Sequence, residues 1–149
     1  MTLRIFVTGG AGYLGSVLCE RLLDAGHCVT VLDSLIYQQN SLFHLCANPC
    51  FEFVQGDARD EALIGRLAKT ADVLIPLAAI VGAPACDRDP LLARTVNLEA
   101  VRLLSRVRSS GQLIVYPTTN SGYGTKTGDV FCTEETPLEP ISLYGQTKT

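Results

Sequence analysis

Two short runs of residues, far apart in the chain, are equipped for chemistry. Near the start stands Thr8-Gly9-Gly10-Ala11-Gly12-Tyr13-Leu14-Gly15, and near the end stands Tyr144-Gly145-Gln146-Thr147-Lys148. Glycines at 9, 12 and 15 suit a loop that wraps a dinucleotide diphosphate. Gly9 allows a tight turn, Gly12 lets phosphate oxygens approach the backbone, and Gly15 lets the following helix lie against the preceding strand. Tyr13 and Leu14 belong to the same contact loop, where a helix N-terminus offers unpaired N–H groups and partial positive charge. In the second run, a lysine four residues after a tyrosine lies on the same helix face. A tyrosine with a pKa of about 10 is a poor base at neutral pH, but a nearby ammonium and an oxidised nicotinamide both favour the phenolate. Tyr144 is then a candidate base that removes a hydroxyl proton while the adjacent carbon gives up hydride. Thr118 or Thr119 is a candidate hydrogen-bond donor to the same oxygen.

The elements that must position these groups are legible as an alternation. Leu3 to Thr8 is short, apolar and rich in strand formers. From Gly12 to Ala25, Leu14, Val17, Leu18, Leu22 and Ala25 recur at helical spacing. The glycines therefore join a strand to a helix, the context that a bare glycine pattern lacks. A second strand, Cys28 to Leu32, ends in Asp33. A carboxylate about 20 residues past the glycines suits the ribose hydroxyls of NAD and repels the extra phosphate of NADP; Ser34, Leu35 and Ile36 follow it, with no arginine.

Phe51 to Gln55 reads as a third strand, followed by a helix that Asp60 caps and that runs through Ala62, Leu63, Leu67 and Ala68. Ala71 to Leu77 is a nearly continuous apolar strand, suited to burial on both faces. Asp89-Pro90 opens a long helix through Leu92, Val96, Ala100, Val101, Leu104 and Val107 that Gly111 ends. Gln112 to Tyr116 is the fifth strand. Strands alternating with helices predict an α/β fold, a parallel doubly wound sheet with right-handed crossovers. In such a sheet the ligand crevice lies outside the carboxyl ends of the strands. There Thr8, Asp33, Gly56-Asp57, Leu77-Ala78-Ala79 and Pro117-Thr118-Thr119 converge. Gly122 to Pro140 is the largest irregular stretch, and loops of that length are often functional.

Composition narrows the function classes. A chain of 149 residues is one domain with room for a core. The formal net charge is −3 with no basic run, which argues against a nucleic-acid partner. No apolar stretch is long enough to cross a membrane, and the N-terminal strand and glycine turn do not read as a signal peptide. None of the six cysteines forms a Cys-x-x-Cys pair, so free thiols in a cytoplasmic protein are expected. His44, Cys46 and Cys50 fall short of the four ligands usual for structural zinc, so no metal site is expected. His27, beside Gly26 at a helix end, reads as structural.

These motifs resemble the extended short-chain dehydrogenase/reductase family, the nucleotide-sugar epimerases and dehydratases, over the whole chain. Thr8 to Gly15 resembles the family's glycine loop and Asp33 its ribose-binding acid. Asp57 and Ala58 resemble the adenine-contacting pair, and Leu77-Ala78-Ala79 the stretch beneath the cofactor. Asn97 resembles the helix asparagine that supports the cofactor site. Thr119, four residues before Tyr123-Gly124, resembles the catalytic serine or threonine, and Tyr144 and Lys148 the catalytic pair. The resemblance implies an NAD cofactor and a sugar-nucleotide substrate oxidised at one carbon, most often C4. Sugar 4,6-dehydratases of the family carry Asp-Glu directly after that threonine, where this chain has Asn120-Ser121. Water elimination needs an acid and a base at neighbouring carbons, and neither residue supplies one. The related decarboxylases carry a glutamate where Ser121 stands. Epimerisation or net oxidation is therefore expected. The strings Leu77 to Pro84 and Pro117 to Gly124 also resemble a bacterial subgroup that oxidises C4 of a GDP-linked heptose.

Family members are about twice as long by resemblance, their second part completing the sheet and forming the sugar-nucleotide pocket. The chain reaches Thr149 within the Tyr144 helix, without a C-cap. The resemblance thus implies the N-terminal, cofactor-binding part of a longer enzyme, and raises a homodimer. A dinucleotide sensor, or a scaffold that keeps the fold alone, is the competing reading; neither has a use for Thr119, Tyr144 and Lys148 together.

Overall fold

The computed structural model describes residues 1–126 and 131–149. Residues 127–130, within the irregular stretch expected above, lie outside the described residues. Five parallel strands form one sheet in the order β3-β2-β1-β4-β5. They are β1 (Arg4–Thr8), β2 (Cys28–Asp33), β3 (Phe51–Gln55), β4 (Val73–Pro76) and β5 (Leu113–Ile114). The chain runs outward from β1 to β3, then returns to place β4 on the other side of β1. The switch point therefore lies between β1 and β4, where α/β sheets open their ligand crevice.

Side-chain alternation fills both faces of this sheet. Ile5, Val7, Val29, Val31, Val73 and Ile75 point to one side, into a core with Cys19 and Leu23 of α1 (Tyr13–Asp24). Phe6, Leu32 and Leu74 point to the other. There they meet Ile64, Leu67 and Ala68 of α2 (Glu61–Ala68) and Leu103 and Leu104 of α5 (Ala100–Val107). Period-two alternation with both faces covered is what a central parallel strand requires.

The caps predicted at Asp60 and Asp89 are formed, and Ser142 adds a third. Asp60 accepts a hydrogen bond from Leu63 N at 3.0 Å. Asp89 accepts one from Leu92 N at 2.9 Å, ahead of α4 (Pro90–Arg94). Ser142 accepts one from Gly145 N at 3.0 Å, opening α6 (Leu143–Lys148). Such caps satisfy N–H groups that the first turn leaves unpaired.

Several expectations need correction. The helix expected from Asp89 is interrupted by a π turn, Thr95–Glu99, between α4 and α5. A further helix, α3 (Ala83–Arg88), fills the segment between β4 and Asp89. The fifth strand is shorter than Gln112 to Tyr116: only Leu113 and Ile114 pair with β4, and Leu113 is 59% exposed at the sheet edge. In α1, Leu14 and Val17 are exposed; the face against the sheet is Gly15, Cys19 and Leu23, flanked by Leu18 and Leu22. The six cysteines are not all free. Cys28, at the start of β2, and Cys50, just before β3, form a disulfide with Cα atoms 4.4 Å apart. Parallel pairing of β2 with β3 makes neighbours of residues 22 apart in sequence, a proximity that cysteine spacing does not display. Among the described residues no helix is long and apolar enough to cross a membrane.

Candidate active site

The carboxyl ends of the strands frame a cleft of about 870 Å³, within the size range of small-molecule sites. Gly9, Gly12, Tyr13, Leu14 and Gly15 line it, with Asp33, Asp57, Ala58, Leu77, Ala78, Ala79, Tyr144 and Lys148. Residues expected at opposite ends of the chain thus share one cavity.

The glycine loop fits its expected task. Gly9 has φ +74°, and a Cβ there would strike the backbone of Ala78. The turn after β1 therefore presses against the exit of β4, with Leu77 N donating to Thr8 O at 2.8 Å. A Cβ on Gly15 would come within 2.6 Å of the Gly10 backbone, so α1 can start this close only with glycine. Gly12 caps α1 without any side-chain hydrogen bond, leaving first-turn N–H groups open to an anion.

Asp33 is buried at 8% exposure and holds the loops on either side of it. One carboxylate oxygen accepts from Ala11 N at 2.9 Å, the other from Leu35 N at 2.8 Å. A carboxylate has about four acceptor positions, so capacity remains on both oxygens for ribose hydroxyls. Sequence patterns did not point to the segment that follows. Ser34, Ile36, Tyr37 and Gln39 line the cleft, and Leu35 (φ +53°) and Gln38 (φ +52°) adopt left-handed backbone. Such conformations cluster at functional sites, but no residue type announces them here. At the end of β3, Asp57 accepts from Arg59 N at 2.8 Å and Arg59 Nε at 2.9 Å. The guanidinium lowers the Asp57 pKa below the usual carboxylate range.

Asn97 and Thr119 are not among the residues lining the cleft. Asn97 is 1% exposed and sits behind the cleft wall. Its Oδ1 accepts from Ile80 N at 2.7 Å, and its Nδ2 donates to Ile80 O at 3.0 Å and to Thr147 Oγ1 at 3.3 Å. The π turn aims it inward, so it supports the site rather than touching a ligand. Thr119 Oγ1 accepts from Ser121 N at 3.2 Å, capping the short turn Asn120–Tyr123; its hydroxyl proton is left for another acceptor. Thr118 lines the cleft and donates to the carbonyl of Lys148 at 2.8 Å.

Lys148 is 5% exposed, and burial pulls its pKa down to about 8. Its Nζ stands 4.3 Å from the centroid of the Tyr116 ring. Tyr144 packs with Ile80, Cys86 and Ala93, so α6 rests on α3 and α4 with its tyrosine and lysine at the cleft.

The fold and this cleft are of the parallel α/β, dinucleotide-binding type. Residues 5–149 match the NAD dependent epimerase/dehydratase family, and the chain belongs to that family. It is 37% identical to a UDP-glucose 4-epimerase of Mycolicibacterium smegmatis, covering 98% of this chain and 48% of the relative. A dTDP-glucose 4,6-dehydratase from Streptomyces venezuelae, solved with NAD bound, superposes with a TM-score of 0.88 at 31% identity, over 98% of this chain and 48% of that one. A UDP-glucuronic acid 4-epimerase from Bacillus cereus, solved with UDP-glucuronic acid and NAD, gives 0.87 at 30% identity, over 98% and 49%. The chain spans about half the length of the relatives it matches.

Proposed function

We propose that this chain is the cofactor-binding half of an NAD-dependent sugar-nucleotide epimerase, with Tyr144 as the base that opens oxidation at C4 of the sugar. The observation that carries this reading is the meeting of the glycine loop, Asp33, Tyr144 and Lys148 in one cleft. Bound NAD supplies the hydride acceptor. The residues do the rest. Gly9, Gly12 and Gly15 give the diphosphate access to the start of α1, and Asp33 takes the adenosine ribose hydroxyls. Lys148, charged, favours the Tyr144 phenolate. Tyr144 takes the C4 hydroxyl proton as the C4 hydrogen leaves with its electron pair, giving a ketone, and Thr119 donates to the same oxygen. With NAD bound, the hydride would return from the cofactor to the opposite face of the ketone, and Tyr144 would give its proton back to the C4 oxygen to complete the epimer.

Epimerisation is favoured over dehydration because Asn120 and Ser121 offer no acid or base beside Thr119. The sugar-nucleotide pocket is assigned to the length by which relatives exceed this chain.

Two measurements test the reading. The purified chain is denatured, any released dinucleotide is identified by mass spectrometry, and the chain is titrated with NAD and NADP. NAD preference is expected, with Asp33→Ala weakening NAD about tenfold, the worth of one charge-assisted hydrogen bond; equal affinity for NADP would sink the Asp33 assignment. In the full-length enzyme supplied with UDP- and dTDP-hexoses, Tyr144→Phe is expected to lower kcat by at least about 100-fold, the scale of a lost acid–base group. Undiminished turnover would remove Tyr144 from the mechanism.

A further inference from the structure

The geometry points to Tyr116 as a positioning residue of this site: its ring face carries the Lys148 ammonium and holds it, still charged, beside Tyr144. Neither the motifs nor the family match assigns Tyr116 a task. It stands just beyond β5, half-buried, immediately before Pro117 and Thr118, which line the cleft.

The need for such a partner is plain from Lys148. Its side chain is almost wholly buried, and among the described residues no carboxylate lies within 4.0 Å of Nζ and no hydrogen bond leaves it. The ionisable groups on elements packed round α6 are Cys86, Asp87 and Arg88 of α3, Arg94 of α4, Glu99 of the π turn and Tyr123 of the Asn120–Tyr123 turn. None pairs with Nζ. Glu99 is engaged with Arg102 at 2.9 Å. What faces the ammonium is the Tyr116 ring, 4.3 Å from Nζ to centroid, inside the range of cation–π attraction.

A ring is a better partner here than a carboxylate. A carboxylate would stabilise the ammonium but cancel its field at Tyr144. A neutral ring stabilises the charge and leaves it whole. Tyr116 also remains neutral: burial raises its phenol pKa above the ordinary value, and nearby Tyr144 raises it further. It therefore does not compete as a phenolate. Thr118 fixes the other end of the residue through the Lys148 carbonyl, so backbone and ammonium are both held by the segment leaving β5.

The proposal rests on the reading of Lys148 as the charge that activates Tyr144, and the test separates the two. The chain has three lysines, Lys69, Lys126 and Lys148, so ¹³C labelling at lysine Cε gives few signals, with Lys69 and Lys126 as internal references. Lys148, assigned by its loss in Lys148→Met, is titrated by NMR in wild type, Tyr116→Phe and Tyr116→Leu. Thermal unfolding checks that each is folded, and Tyr116→Met, close in volume, stands in if Tyr116→Leu is not. Tyr116→Phe keeps the ring and is expected to titrate with wild type. Tyr116→Leu is expected to titrate lower by roughly half to one pH unit, the worth of a partly desolvated cation–π contact. Coincident curves for all variants overturn the proposal, as does an equal shift in Tyr116→Phe and Tyr116→Leu, which would assign the effect to the hydroxyl. The Tyr144 phenolate absorbance, isolated by difference from Tyr144→Phe, is followed in the same samples with NAD. If the Lys148 titration moves and that of Tyr144 does not, Tyr116 keeps its place and the Lys148–Tyr144 coupling fails.

Discussion

Lys148 is a buried base, and that has a sign that can be measured. Its ammonium is disfavoured by desolvation, so its folded-state pKa, about 8, lies below the ordinary lysine value of 10.5. Below pH 8 the lysine is charged in both states, and the folded state bears the full cost of burying the charge. Between pH 8 and 10.5 the unfolded chain binds the extra proton, so this residue's contribution to stability rises with pH. The cost near neutrality is on the order of 3 kcal/mol. Lys148→Met is therefore expected to raise the thermal midpoint at pH 7, with a gain that shrinks as pH rises from 8 toward 10. A gain independent of pH would mean that the lysine binds its proton equally in the folded and unfolded chains, so that burial does not lower its pKa. A site that loses stability by keeping a group charged is one in which the charge serves another purpose; on the proposed reading that purpose is the activation of Tyr144.

The elements meet through Asn97. One side chain of the π turn Thr95–Glu99 binds both backbone groups of Ile80 beyond β4 and the Thr147 hydroxyl on α6. Replacing Asn97 by leucine keeps the volume but leaves the buried Ile80 N–H without a partner and the Ile80 C=O with the Cys86 thiol alone. A loss of about 1–3 kcal/mol in urea unfolding is expected. A change within about 0.5 kcal/mol, the range of ordinary surface substitutions, would show that water or a shifted backbone replaces it. This junction also marks where the amino-acid sequence stops being legible. The strands β1 to β4 and the caps Asp60 and Asp89 follow from local residue chemistry and read directly. So do the glycine loop, Asp33 and the spacing of Tyr144 to Lys148. The π turn does not, because one extra residue in a helical run barely disturbs the apolar period. α3 does not, because its six residues carry Pro84 and too short a pattern. The outward Leu14 misleads for another reason: at the start of α1 it lines the cleft, so an apolar residue can face a ligand site instead of a core. Tyr116 is a strand-end aromatic like many others until α6 is brought beside it.

Across the molecule the two ends of the sheet have different characters. The carboxyl ends of the strands form the cleft; the amino ends carry the Cys28–Cys50 disulfide. Of the remaining cysteines, Cys46 and Cys132 are exposed while Cys19 and Cys86 are buried, and burial pushes the Cys19 thiol up to about 12. Alkylation of the native, unreduced chain is expected to modify Cys46 and Cys132 only, as read by peptide mass spectrometry. Reduction should release Cys28 and Cys50 while leaving NAD affinity unchanged, because neither lines the cleft. Modification of Cys28 without reductant would show that the pair is open. Loss of NAD binding on reduction would show that the far end of the sheet controls the near one.

The contact between Asn97 and Thr147 spans 50 residues, and that between Thr118 and Lys148 spans 30. Contacts so distant in sequence form against a loop-closure cost that local turns and adjacent parallel pairs on the β1–β2–β3 side bear less heavily. α6, held by such contacts outside the sheet, is expected to open more readily than the β1–β2–β3 side, read as lower hydrogen-exchange protection of its amides. The dinucleotide loop and Asp33 lie on the sheet, whereas Tyr144 and Lys148 lie on α6. On the proposed reading, opening of α6 would leave the cofactor loop in place while withdrawing Tyr144 and Lys148 from the cleft, so holding a cofactor and using one would be separable.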